Sequence, residues 1–292
     1  MSLNTPILFL IFNRLDTTKQ VFEEIRRAKP KQLFIACDGA RNKEEEIKVY
    51  RVRNHVLVNI DWECEVKTLF RKDNLGCKYA VSGAIDWFFK NVEQGIILED
   101  DCLPDKSFFK FCEKMLEKYK DDTRIMHISG NNFLIDYKRD IYSYYFSTYG
   151  SIWGWATWKR AWKLYDIEIE GFGEIEDEGY LKYLYKNKLE RIIKKRHLNQ
   201  IINGLDTWDY QWNFCKLINS GLSIIPNNNL IKNIGFEKGT RKFGKNDFRL
   251  DLELEKIEFP LINPPFVIRD FKSDRIYFNK MILNSIKHKL FK

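Results

Sequence analysis

The chain has 292 residues, 44% of them hydrophobic and 31% charged, with 15 Gly and 7 Pro, which supports a sizeable core and excludes disorder, a collagen-like repeat and a disulfide-stapled miniprotein. Lys and Arg exceed Asp and Glu by 49 to 41, a net charge of +8, and aromatic residues make up 15%. That balance leaves nucleic acid, a membrane surface, a sugar or a phosphorylated small molecule as partners. The longest strongly apolar run, Ile7 to Phe12, is far too short to cross a bilayer.

Strand and helix signals alternate through the first half. Pro6 to Phe12 reads as a buried strand, and a helix capped at Asp16 follows, with Val21, Phe22, Ile25 and Ala28 at helical spacing. Gln32 to Cys37 is a second strand ending in the turn signal Asp38-Gly39, and Lys43 to Asn59 a charged amphipathic helix. Glu63 to Phe70 is a third strand, followed by Asn74-Leu75-Gly76 and a helix through Ala80, Ala84, Trp87 and Phe88. Gly95 to Leu98 is a short apolar strand running into Glu99-Asp100-Asp101; a helix over Ser107 to Tyr119 and a strand over Arg124 to Ile128 complete the series. Such alternation predicts an α/β fold, a mainly parallel sheet flanked by helices, with ligands bound beyond the carboxyl ends of the strands. Polar residues do collect there: Asn13-Arg14, Asp38-Gly39, Arg71 to Asn74 and Glu99 to Asp101.

The second half changes character. A strand is expected at Tyr142 to Ser147, helices at Thr157 to Leu164, Tyr180 to Ile202 and Trp208 to Asn219, and a strand at Leu222 to Ile225. A loop-like region follows from Asn227, and residues 276–292 read as a basic amphipathic tail helix. With no repeat and no low-complexity linker, the reading is one continuous domain with a variable second half. The six cysteines form no C-x-x-C pair and several lie in apolar runs, so free thiols in a reducing cytoplasm are expected. The N-terminus lacks the features of a signal peptide. Zinc-finger, RNP and homeodomain patterns are missing and the basic residues are dispersed, so nucleic acid is not the expected partner.

Four constellations could carry chemistry. Glu99-Asp100-Asp101 places three acids at the end of a buried strand; their repulsion and desolvation call for a cation, and carboxylate oxygens suit Mg²⁺ or Mn²⁺. The same acids also fit a loop opening that caps the helix near Ser107. Asp209, in Trp208-Asp209-Tyr210-Gln211-Trp212, is either a helix N-terminal acid or a general base flanked by aromatic rings. In Trp153-Gly154-Trp155-Ala156-Thr157-Trp158, the first two Trp residues fit ligand contact or core equally, while Trp158 and Trp162 suit the core. Asn233 to Lys242 mixes glycines and basic residues in a loop that is either solvated or closes over phosphates.

Together, Ile7 to Arg14, Cys37-Asp38-Gly39, Asn74-Leu75-Gly76-Cys77, Leu98-Glu99-Asp100-Asp101 and Trp153 to Trp158 resemble the GT-A nucleotide-sugar glycosyltransferases. They are similar in particular to bacterial relatives of the eukaryotic N-acetylglucosaminyltransferase I family. The resemblance runs over roughly residues 5 to 240 and implies a Rossmann-like GT-A domain over residues 1–275. Residues 1–130 would be its nucleotide-sugar-binding half and 131–275 an acceptor-side α+β half. It implies that Asp38 contacts the base, with Asn13 and Arg14 in the same pocket and Gly39 and Gly76 in its turns. Arg71 and Asn74 would approach the ribose or diphosphate, Glu99 and Asp100 the nucleoside and sugar, and Asp101 a divalent metal, Mn²⁺ or Mg²⁺.

Asp209 would be the base of an inverting transfer, and Trp153, Trp155, Trp208 and Trp212 would face the acceptor. Where relatives place a His after the Gly-Phe stretch, this chain has Arg241, which would offset charge directly. The implied reaction moves a sugar, with UDP-sugar as the expected donor, to a hydroxyl on a glycan or lipid-linked glycan, as in bacterial surface glycan synthesis. The alternative is a sugar-phosphate nucleotidyltransferase. The expected place is the cytoplasm, with peripheral contact at the inner face of the membrane through the basic tail.

Overall fold

The computed structural model describes residues 2–137, 141–235, 247–249 and 252–290. The first half follows the alternation: β1 (Ile7–Ile11), α1 (Leu15–Ala28), β2 (Gln32–Cys37), α2 (Lys43–Val58), β3 (Glu65–Phe70), α3 (Gly76–Asn91), β4 (Gln94–Glu99), a short β5 (Cys102–Pro104), α4 (Lys106–Lys118) and β6 (Ile125–Ser129). The helices start and stop for local reasons. Asn42 accepts the Glu45 amide at the head of α2, Asp105 accepts the Ser107 amide at the head of α4, and α1 ends on Lys29 at φ +48°. The apolar stripe of α1, Val21, Phe22 and Ile25, is buried against the sheet.

The second half supplies β7 (Tyr144–Ser147), β8 (Trp155–Trp158), four short or medium helices α5 (Lys159–Trp162), α6 (Phe172–Asp177), α7 (Leu181–Leu184) and α8 (Lys188–Ile202), then α9 (Asp209–Ile218), β9 (Leu222–Pro226), β10 (Ile231–Asn233) and α10 (Phe271–Leu290). Eight strands form one sheet in the order β3-β2-β1-β4-β8-β6-β9-β7, and β10 pairs with β5 in a separate ribbon. The β3-β2-β1-β4 half is wholly parallel; beyond it β8 and β7 run antiparallel to their neighbours while β6 and β9 are parallel. The result is a mixed α/β fold of Rossmann-like kind, a mainly parallel sheet covered by helices, as the alternation predicts.

Three expectations change. Residues 155–158 form β8, wedged between β4 and β6, so Thr157 and Trp158, expected to open a helix, are extended instead. Both faces of that strand are covered, so helical and extended spacing of its aromatic residues were indistinguishable by burial. The helix expected over Tyr180 to Ile202 breaks into α7 and α8, where Asn187 accepts the Leu189 and Glu190 amides and starts a new helix. The tail helix begins at Phe271, five residues before the expected start, and Ser273, Asp274, Phe278 and Asn284 are buried against the body.

Candidate functional site

The parallel half brings the strand ends into one crevice. β1 and β4 are neighbours with Leu10 opposite Glu99, so the residues that follow each strand meet. The Phe12 amide donates to Asp100 Oδ2 at 3.3 Å. Arg14, the residue before α1, donates from Nη1 to Asp101 Oδ2 at 2.9 Å and from Nη2 to Asp100 Oδ1. The β5–β10 ribbon closes the other side, where the Ile234 amide donates to the Asp101 carbonyl at 2.8 Å. A Cβ on Gly235 would run into the Asp101 carboxylate and the Arg14 guanidinium, so this close approach demands glycine.

Charge is concentrated here in a space with little water. Burial, then Asp101 and Asp100, push the Glu99 carboxyl up to about 8, with Asp209 adding and Arg14 opposing. Burial also raises Asp100, against the pull of Arg14. The Arg14 guanidinium is opposed by its burial, but Asp100 and Asp101 outweigh that and hold it firmly charged. Among the described residues the Glu99 carboxyl has no hydrogen-bond partner, so its environment favours the protonated form.

At the ends of β2 and β3, the expected donor residues largely hold the crevice together. Asp38 accepts the Leu75 and Gly76 amides at 3.0 and 3.2 Å, and Gly76 turns with φ +75°. Asn74 Nδ2 donates to the Gly39 carbonyl at 2.7 Å, and a side chain on Gly39 would collide with the backbone of Lys72 and Asp73. Arg71 is directed into α3, donating to the Ala80 carbonyl at 3.0 Å, and burial lowers its pKa. That hydrogen bond is spent inside the protein rather than left free for a ligand. Asn13 donates to Glu45 at 2.6 Å; that carboxylate, clasped first by Arg41, is pulled down to about 2.

Sequence reasoning missed three residues that shape this region. Arg53 on α2 donates to the carbonyls of Asp38 and Arg71 at 2.9 and 2.8 Å, tying β2 to β3. Glu45 anchors Asn13 and Arg41, and Asp206 accepts the Cys77 and Lys78 amides at the head of α3 at 3.0 and 2.6 Å. Asp206 bridges 129 residues of sequence, which no local pattern reports.

Asp209 opens α9, partly buried, and accepts from the Thr207 hydroxyl. Its charge adds weakly to the rise of the Glu99 pKa and opposes the fall of that of Lys194 on α8, which puts the expected base in the neighbourhood of Glu99. The tryptophans divide. Trp155, Trp208 and Trp212 are at most 2% exposed; Trp155 stacks on Trp208 at 5.8 Å and meets Trp212 at a tilt at 5.7 Å, with Trp162 and His127 closing around them. Their rings offer no free face, so the expectation that these three contact an acceptor is replaced by a core role. Trp153 alone stays partly exposed, edge-on to Phe133 at 5.3 Å.

The carboxylate oxygens have the right chemistry for a hard divalent ion. Their arrangement does not fit one: Arg14 already takes an oxygen from both Asp100 and Asp101, and Gly235 closes directly over Asp101. Among the described residues, no group of three or more His, Cys, Asp or Glu side chains is placed to hold a metal. The metal expected on Asp101 is met in this arrangement by a guanidinium. Arg241 and the basic loop around it lie outside the described residues.

No family model matches the chain, and no curated protein matches it. Among solved structures, it is similar to HddC from Yersinia pseudotuberculosis at 10% identity and TM-score 0.34, over 53% of this chain and 77% of that one. It is also similar to a UDP-glucose pyrophosphorylase complexed with UDP-glucose, at 12% identity and TM-score 0.27, over 45% of this chain and 64% of that one. These likenesses are too slight to assign a reaction.

Proposed function

We propose that the crevice carries out nucleotide-sugar chemistry and that its reaction is glycosyl transfer to a hydroxyl acceptor. The observation that carries this is the strand-end geometry: β1 and β4 bring Arg14 onto Asp100 and Asp101 at the carboxyl ends of parallel strands, and Asp209, an acid from the opposite half of the chain at the head of α9, is near enough to act on Glu99. In this reading the donor lies along the strand ends and the acceptor enters from the side of Trp153. Asp209 takes the proton of the acceptor hydroxyl as its oxygen attacks the anomeric carbon. The bond from that carbon to the diphosphate oxygen breaks, the electron pair leaves with the diphosphate, and the anomeric configuration inverts. Arg14 is the fixed positive charge at the strand end and the group best placed to meet the leaving diphosphate.

Sugar-phosphate nucleotidyl transfer is the second reading, since the sheet and the acidic strand end would serve it too. The β1–α1 connection, Phe12-Asn13-Arg14, contains no glycine, and its Phe12 amide is already engaged by Asp100. It therefore offers no backbone cradle for a triphosphate, which favours transfer. The products separate the two. A panel of nucleotide sugars, with and without Mn²⁺, should first raise the melting temperature for the correct donor. Incubated with mixed glycan acceptors, that donor should then yield nucleoside diphosphate. Formation of nucleoside triphosphate from nucleotide sugar and pyrophosphate would establish the second reading instead.

A further inference from the structure

The charge of +8 is not used up by the crevice, where acids prevail, and part of it is organised elsewhere. Helix α4 presents Lys106, Lys110, Lys114 and Lys118 at four-residue spacing, and among the described residues none of them pairs with a carboxylate. The acids on the same helix are engaged: Glu117 with Lys120 and Glu113 with the Asn4 amide. Between this row and Phe259 to Leu261 lies an open groove of about 560 Å³ lined by Lys110, Lys114 and Lys118, with Lys110 4.4 Å above the Phe259 ring.

The chain that forms the far wall of the groove continues along the outer edge of β7, held by the Ser143 amide donating to Ile262 and the Asp270 amide donating to Phe146. Between those two anchors it sends its large apolar side chains outward. Ile262 is 49% exposed, Phe266 70% and Ile268 59%, while Leu261 and Val267 pack inward on the core. Polarity is inverted over the same stretch. Asp270 and Asp274 are buried and bonded within the protein, and Lys272 stands at the surface. The exposed acids nearby, Glu117 and Glu258, are each taken up by a neighbouring lysine, Lys120 and Lys256. A surface that displays Phe, Ile and unpaired Lys has the composition of an interfacial membrane site, where rings enter the headgroup boundary and ammonium groups meet lipid phosphates.

We infer that the face formed by α4 and residues 259–271 docks on an anionic lipid bilayer. The argument for this occupant is charge complementarity: a second copy of the chain would set these unpaired lysine rows against each other, whereas a bilayer bearing negative headgroups neutralises them. The inference draws on none of the basic residues after Asn284, and it holds whether or not the crevice transfers sugars.

Flotation of the full chain with phosphatidylcholine vesicles, with and without phosphatidylglycerol, tests the inference. The protein should float only with phosphatidylglycerol, and less as salt is raised. Lys110→Glu with Lys114→Glu and Lys118→Glu should weaken partition on the order of 100-fold. Phe266→Ser with Ile268→Ser should weaken it roughly tenfold or more. Both sets of positions are exposed, so the variants should keep the wild-type melting temperature, and removal of residues 285–292 should leave flotation unchanged. Absence of wild-type flotation, equal flotation of all variants, or loss only on removing 285–292 would overturn it. So would a wild-type dimer that ignores vesicles and is dissolved by Phe266→Ser, the signature of a second copy.

Discussion

At the end of β4, Asp100 and Asp101 share the guanidinium of Arg14, and charge is buried as a hydrogen-bonded pair. Behind α9 the interior buries basic groups by a different route. Lys216 is fully buried and donates to the Ser223 hydroxyl at 2.8 Å, and burial, with Lys194 adding, pulls its amine down to about 7. His127 beside it is fully buried; its Nδ1 accepts from Trp212 at 3.2 Å, and Nε2 lies 3.0 Å from the Ser151 carbonyl, where it donates. That pair of bonds needs the neutral ring, and burial followed by the nearby Lys216 disfavours the imidazolium. The crevice pairs Asp100 and Asp101 with Arg14 and favours a neutral Glu99 beside them, while the interior turns cations into neutral donors and acceptors. A buried pair is hurt by losing one partner, whereas a buried neutral amine is dispensable if its volume is replaced.

Helix α9 joins the two regions, with Asp209 at its crevice end and Lys216 two turns into the core. Three substitutions probe the contrast between these two regions. The largest expected effect is at Asp209: Asp209→Asn should cost about 10²- to 10⁴-fold in kcat while leaving the donor's binding constant alone. Steady-state rates together with donor titration check this, and wild-type turnover in the variant would remove the base assignment. Next comes Arg14→Met, which strands Asp100 and Asp101 and should destabilise the fold by about 3 kcal/mol at neutral pH. Denaturant unfolding at pH 7 and pH 5 should show the loss shrinking at the lower pH, as the stranded carboxyls protonate.

The smallest effect has the opposite sign. Because the Lys216 amine titrates near 7 when folded and near the ordinary lysine value when unfolded, the unfolded chain holds an extra proton between those values. Stability from this group is complete above the unfolded pKa and is lost as pH falls toward 7. The wild type should therefore gain stability as pH rises from about 7 to about 10, at up to about 1.4 kcal/mol per unit. Lys216→Met should flatten that rise and add about 1 kcal/mol at pH 7. A destabilised Met variant would mean that the amine is paired after all, and the contrast between the regions would fall.

The crevice was legible in the sequence to the extent that it is built from strand ends. Short apolar runs followed by Asn13-Arg14, Asp38-Gly39 and Glu99-Asp100-Asp101 fix where strands stop, and a parallel sheet then has to bring those stops together. The partners were not legible. Nothing local distinguishes an Arg14 that waits for a nucleotide from one that clasps Asp100 and Asp101, or an Arg71 facing the crevice from one turned to Ala80. The tryptophans misled for a related reason. Trp155 and Trp208 lie beside glycine and acid in the chain, as ligand-stacking residues do, yet pack with Trp212 only because β8 inserts beside β4 and α9 folds over it.

By itself, then, the sequence determined the elements of the first half, the parallel order they require and the acidic strand end, because period and turn chemistry act between neighbours in the chain. Folding across the chain set which ions pair, which aromatic rings are buried, and that lysines of α4 and Phe259 to Leu261 line one groove. Those outcomes depend on burial and on contacts across more than a hundred residues, and the free energy of a charge or a ring is set by what surrounds it.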